Sequence, residues 1–144
     1  MSKYLILLVL CSCSSWNKLS HHVANKEVIQ ISQRFINEAK ARKKELNLSK
    51  IKIRFDNLKI AGVCDRKTQT ITFDYKQWFR MDILRKEYLV FHELSHCALN
   101  KDHDIDNCKN VESYLCKKFP DSFDTYLDNR AKLLDKILDY KKIH

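Results

Sequence analysis

The sequence predicts an α+β domain in which a small β-sheet packs on one buried helix, with further helices before and after it. Three observations carry this. Apolar residues recur at helical spacing in several long stretches. Short alternating segments rich in Ile, Thr and Phe lie between two of them. Structure breakers are almost absent: 144 residues contain one glycine, Gly62, and one proline, Pro120, so no obvious linker divides the chain.

Taken in order, residues 22–46 predict a helix with Val28, Ile31, Phe35 and Ala39 on one face. Ile51, Ile53 and Phe55 alternate as in a strand. Residues 57–63 predict a second strand, with Gly62 turning the chain into Cys64, and residues 70–74 a third. A helix over residues 82–99 opens on Asp82 as N-cap. Ile83, Leu84, Glu87, Tyr88, Val90, Phe91, Leu94, Cys97 and Ala98 give it a mostly apolar surface. Residues 111–119 predict a short helix stopped by Pro120. Residues 121–140 are helical again, with Phe123, Leu127, Leu134 and Ile137 facing inward.

The helix over residues 82–99 carries His92-Glu93-Leu94-Ser95-His96, an HExxH pattern. Positions four apart on a helix differ by roughly 40° and about 6 Å, so His92 and His96 stack and can hold one zinc ion. Glu93, beside the first ligand, can reach a water there but not the metal, which suits a general base. With six histidines in the chain, chance produces this pattern in roughly one such chain per hundred. The alternative is a core helix with two satisfied histidines.

A third histidine, His103, follows. If the helix ran on, His103 would sit about 10 Å along the axis from His96, against a Zn–N bond of about 2 Å. His103 therefore joins the site only if the helix stops first, and Asn100 is the candidate stop, because asparagine substitutes for glycine in the left-handed conformation. Glu112, the only glutamate after Glu93, is the rival third ligand. Asp102, Asp104 and Asp106 are weaker candidates and read equally well as a solvated loop.

From Val63 to His103 the chain resembles small bacterial secreted or lipoprotein zincin-like metallopeptidases. The resemblance rests on Cys64-Asp65, on Thr70-Ile71-Thr72-Phe73-Asp74, on Trp78-Phe79, and on the helix with its downstream histidine. It covers under a third of the chain, and only the HExxH part is specific. It implies a zincin-like fold, zinc bound by His92, His96 and His103, Glu93 as catalytic acid/base, and a peptide or protein substrate. It also implies a sheet edge that holds extended peptide beside the metal, for which residues 70–74 are the candidate. Ser95 stands where that pattern has glycine. Compared with the metzincin pattern the third histidine comes one residue late, and the only methionines, Met1 and Met81, supply no Met-turn. Tyr114 and Tyr126 are candidates to assist zinc at the oxyanion, though such tyrosines are more often core or surface residues.

The N-terminus reads as a lipoprotein signal peptide over residues 1–12: a basic start, an apolar run from Tyr4 to Leu10 too short to span a bilayer, then Leu10-Cys11-Ser12-Cys13. Cleavage before Cys13 would leave it as the lipid-bearing residue, followed by a tether over 13–21 and one domain over 22–144, on a bacterial cell envelope. A plain secretory signal or a buried strand are the alternatives. Cys64, Cys97, Cys108 and Cys116 remain for disulfides, with Cys64–Cys97 and Cys108–Cys116 the favoured pairs and free buried thiols the alternative.

The net charge of +9 includes a cluster of Lys40, Arg42, Lys43, Lys44, Lys50, Lys52 and Arg54. No nucleic-acid motif accompanies it, so a solvated face is expected rather than a nucleic-acid partner. Attraction to anionic lipid beside an anchor is a secondary role. The functional expectation is a lipid-anchored zinc peptidase. Two other readings stay open. One is a lipoprotein scaffold whose zinc is closed by His92, His96, His103 and Glu112. The other is a cytosolic nucleic-acid-associated protease.

Overall fold

The computed structural model describes residues 13–104, 113–116, 119, 120 and 122–139. In chain order it has α1 (Cys13–Ala41), β1 (Lys52–Asp56), β2 (Gly62–Asp65), β3 (Thr70–Asp74), α2 (Tyr75–Arg80), α3 (Ile83–Cys97) and α4 (Phe123–Ile137). The strands form one mixed sheet in the order β1-β3-β2, with β1 parallel and β2 antiparallel to β3. The α+β class is as expected from the sequence. Helix α3 lies in the middle: α1 packs on one side, with the Phe35 and Phe91 rings 4.8 Å apart, and the sheet on another. Phe55, Phe73 and Trp78 fill the sheet face with rings 5.2 to 5.7 Å apart.

Strand β3 is central, not an edge, which corrects the expectation that it offers a free edge to a substrate. Ile71 and Phe73 are wholly buried and β3 pairs along both sides, so its backbone groups are already used. The free edge nearest α3 belongs to β2. That strand runs over Gly62–Asp65, beginning five residues after the start of the expected 57–63 segment, and residues 57–61 lead up to it without joining the sheet. Asp74 explains part of this, because its carboxylate accepts from the Leu58 N–H at 2.7 Å and from Gln77 N–H at 2.8 Å. The second bond caps α2, a short helix missed in the sequence because six residues are too few for a periodic signal.

Helix α1 starts and stops earlier than the expected 22–46. It includes residues 13–21, expected as tether, and ends at Ala41 without glycine or proline. Lys43 takes the left-handed conformation, φ 58°, while Lys44 N–H reaches the Ala39 carbonyl and Lys43 N–H the Lys40 carbonyl, both at 2.9 Å. These are the two bonds of a Schellman stop, made here by lysine against the usual preference. Helix α3 follows expectation: Asp82 caps it, accepting from Arg85 N–H at 2.8 Å, and Asn100 is left-handed with φ 53°.

Residues 113–116 form a turn, closed by Cys116 N–H on the Ser113 carbonyl at 3.2 Å, and not the helix expected over 111–119. Helix α4 is capped by Ser122 and buries Tyr126, Leu133, Leu134 and Ile137. Leu127, expected inward, is 54% exposed. It lies one position, about 100°, from Tyr126, and Tyr126 takes the inward place because its hydroxyl finds a buried partner. The expected signal segment, Asp106, Cys108 and Glu112 lie outside the described residues.

Candidate functional site

His92, Glu93 and His96 sit on the buried side of α3, and the loop released at Asn100 returns His103 to them. One ligand atom from each histidine lies within 4.8 Å of the others. Among the described residues this is the group that could hold a metal ion. His92 and His96 are buried, whereas His103 is exposed.

The two buried rings are fixed by backbone carbonyls. His92 Nδ1 is 2.6 Å from the Tyr114 carbonyl, and His96 Nδ1 is 2.6 Å from the Lys101 carbonyl. A carbonyl can only accept, so both Nδ1 atoms carry the proton and both Nε2 atoms present lone pairs. Those Nε2 atoms face each other at 3.1 Å. Burial, and next the neighbouring His96, push the His92 pKa down to about 4, and burial lowers that of His96, so neither ring readily takes a second proton. Two lone pairs this close repel unless a cation lies between them. Tetrahedral zinc with Zn–N bonds of about 2.05 Å would set its nitrogens about 3.3 Å apart, so the donor set fits that ion.

Glu93 is also buried, with Oε1 4.0 Å from His92 Nε2. Burial pushes its pKa up to about 7, offset in part by a hydrogen bond from the Cys64 N–H. Gly62 explains how β2 comes so near. Its φ is not positive, so it is needed here for close approach and not for a turn. A Cβ at this position would lie 3.1 Å from Glu93 Oε1 and 3.1 Å from Phe73 Cδ1. The Cys64–Cys97 disulfide holds β2 against the end of α3, as favoured from the sequence. Cys116 is disulfide-bonded, and Cys108, its expected partner, lies outside the described residues. Ser95, where the resembling pattern has glycine, is accommodated because its hydroxyl donates back to the Phe91 carbonyl at 2.6 Å.

A cleft of about 620 Å³ opens onto this site. Gly62, Val63 and Cys64 line it, and Tyr88, Leu89 and Phe119 add apolar surface. Two of the carboxylates named as weaker ligand candidates pair elsewhere: Asp102 with Arg66 at 2.7 Å and Asp104 with Lys136 at 3.2 Å. The basic cluster is likewise partly internal, since Arg42 bridges Glu38 and Asp135.

The model of one protein family, described as "Putative phage metallopeptidase", matches residues 14–121. The chain belongs to that family. No curated protein and no solved structure matches it.

The matched stretch takes in α1 from its second residue, the sheet, α3 and His103, and stops before α4. Tyr114 and Tyr126 take the core role that the sequence reading favoured over help at the oxyanion. Their hydroxyls bond each other at 2.8 Å, and Tyr126 donates to Glu87 Oε1 at 2.8 Å, in the core. Neither hydroxyl faces the cleft, and Tyr114 contributes through its carbonyl instead. Burial raises the pKa of both phenols, which further holds them as neutral core hydrogen-bonding groups. Four site features were missed in the sequence: the Tyr114 carbonyl, the Lys101 carbonyl, the Cys64 N–H, and the contact of Gly62 with Glu93. Only the last left a signal, since Gly62 is the single glycine of the chain.

Proposed function

We propose that this chain is a zinc-dependent peptide-bond hydrolase of zincin-like type, with His92, His96 and His103 as ligands and Glu93 as general base. The observation that carries the reading is the pair of Nε2 lone pairs facing each other at 3.1 Å beside the buried Glu93 carboxylate. Zinc held there would supply Lewis acidity to a water and to the scissile carbonyl. Glu93 Oε1 takes the proton from the attacking water and returns it to the leaving amine. The Cys64 N–H keeps that carboxylate aimed during both transfers. Peptide or protein substrate lies extended along the free edge of β2, pairing by strand addition, with the cleft taking its side chains.

The test measures metal and turnover together. Purified protein is expected to hold about one zinc, as a mononuclear site does. His103→Ala should weaken binding strongly, and Glu112→Ala should not. A chelator should stop cleavage of a denatured protein pool, and added zinc should restore it. Strong zinc loss in Glu112→Ala with none in His103→Ala would replace the third ligand.

Supported by the sequence Leu10-Cys11-Ser12-Cys13, we also propose cleavage before Cys13 and a lipid on that residue, placing the enzyme on a bacterial envelope membrane. No described helix is long and apolar enough to cross a membrane itself. Mass measurement of the N-terminal peptide from expressing cells should show acylated Cys13, and recovery of an unmodified Met1 would remove the anchor.

A further inference from the structure

Arg66 follows β2 in the turn leading to β3, on the wall of the cleft, and has no part in the chemistry above. Its Nη2 donates to the Lys101 carbonyl and also to Asp102 Oδ1, the latter at 2.7 Å. The same Lys101 carbonyl accepts from His96 Nδ1 at 2.6 Å. One guanidinium therefore holds the acceptor that sets the orientation of one histidine, and the residue just before another, His103.

The loop needs such a hold. It leaves α3 through the left-handed Asn100, with backbone bonds from Ala98 N–H to Leu94 and from Lys101 N–H to Ser95 before His103, and one from Asp104 N–H to Leu115 at 3.3 Å after it. His103 is exposed, so packing alone does not fix it; Asp104, paired with Lys136 at 3.2 Å, anchors the far side of the loop, and Arg66 the near side. The Cys64–Cys97 disulfide fixes the strand from which Arg66 reaches across. A planar guanidinium serves two acceptors at once, which an ammonium does less well.

We propose that Arg66 is a positioning residue of the metal centre, holding the Lys101 carbonyl and Asp102 so that His96 and His103 meet one cation. The inference rests on the zinc reading above. Charge and position make opposite demands here. A guanidinium near a dication site disfavours metal by simple repulsion, so its removal would tighten binding if charge were its main effect. If it orients the ligands, its removal weakens binding.

The experiment titrates the full chain with zinc alone, in competition with a chromophoric chelator, and records the visible spectrum of the cobalt-loaded protein. Arg66→Ala should bind zinc about 10- to 100-fold more weakly, the range for outer partners of metal ligands, and its cobalt bands should change. Arg66→Lys should fall between Arg66→Ala and wild type. Metal-free Arg66→Ala should melt near wild type, because Asp102 is 89% exposed and such surface pairs stabilise little. Zinc binding in Arg66→Ala as tight as wild type, or tighter, would overturn the proposal. Were Arg66→Ala unfolded without metal, Arg66→Lys decides, and binding equal to wild type would overturn it. A wild type that takes up neither zinc nor cobalt would instead overturn the zinc reading itself.

Discussion

Glu93→Gln is expected to lower hydrolysis by at least about 100-fold, the lower range for loss of a general base, while zinc content and Tm stay near wild type. Glutamine keeps the size of the side chain and a carbonyl oxygen that can accept from the Cys64 N–H. It cannot take a proton from water. The variant therefore separates chemistry from metal binding, which the histidine variants cannot do. It also separates the enzyme from a lipoprotein scaffold with a structural zinc, in which Glu93 would have no task. Zinc-dependent cleavage that Glu93→Gln leaves intact would remove Glu93 from the mechanism and end the central proposal.

The second large effect is on stability, at Glu87. This carboxylate is 2% exposed on α3, on the side away from the cleft. It accepts from Arg130 Nε at 2.7 Å and Tyr126 at 2.8 Å, and lies 3.1 Å from Arg34 Nη1. Arg130 also holds Glu38 at 2.7 Å, so the cluster joins α1, α3 and α4. Glu87→Ala takes one acceptor from the partly buried Arg130 guanidinium, which keeps Glu38, and one from the buried Tyr126 phenol, which keeps Tyr114. Removing one partner of a buried pair costs about 3–5 kcal/mol, a large share of the 5–15 kcal/mol of an ordinary domain. Denaturant unfolding of metal-free protein should show that loss, and Glu87→Gln should lose less. A change below about 1 kcal/mol, the worth of a surface pair, would mean that the cluster is not structural. Because Tyr126 also holds Tyr114, whose carbonyl orients His92, zinc binding should weaken in Glu87→Ala as well.

Much of the candidate site was legible because it is local. The fourfold spacing of His92 and His96 places both on one face of a helix whatever the rest of the chain does. Asp82 starts that helix and Asn100 releases it through side-chain and backbone chemistry that acts within a few residues. The disulfide partner of Cys97 was a choice among pairings, and the fold settled it as Cys64. The errors share a cause too. Residues 70–74 were recognised as a strand, but its place in the sheet depends on β1 and β2 together. Leu127 fits a helical stripe as well as Tyr126 does, and only the buried Glu87 decides which of them turns inward.

The sequence by itself determined the helix, its cap at Asp82, the stop at Asn100 and the placing of His92 and His96 on one face, because spacing and capping act over one or two turns; it left His103 and Glu112 as rivals for a third ligand. The tertiary structure decided the rest. It put β2 against Glu93 at Gly62, where a Cβ would be crowded, used the Tyr114 and Lys101 carbonyls to orient the rings, and sent the Tyr126 hydroxyl to Glu87. A backbone carbonyl or N–H is the same in almost every residue. Which of them meets a histidine is therefore set by long-range packing, and no side-chain pattern records it.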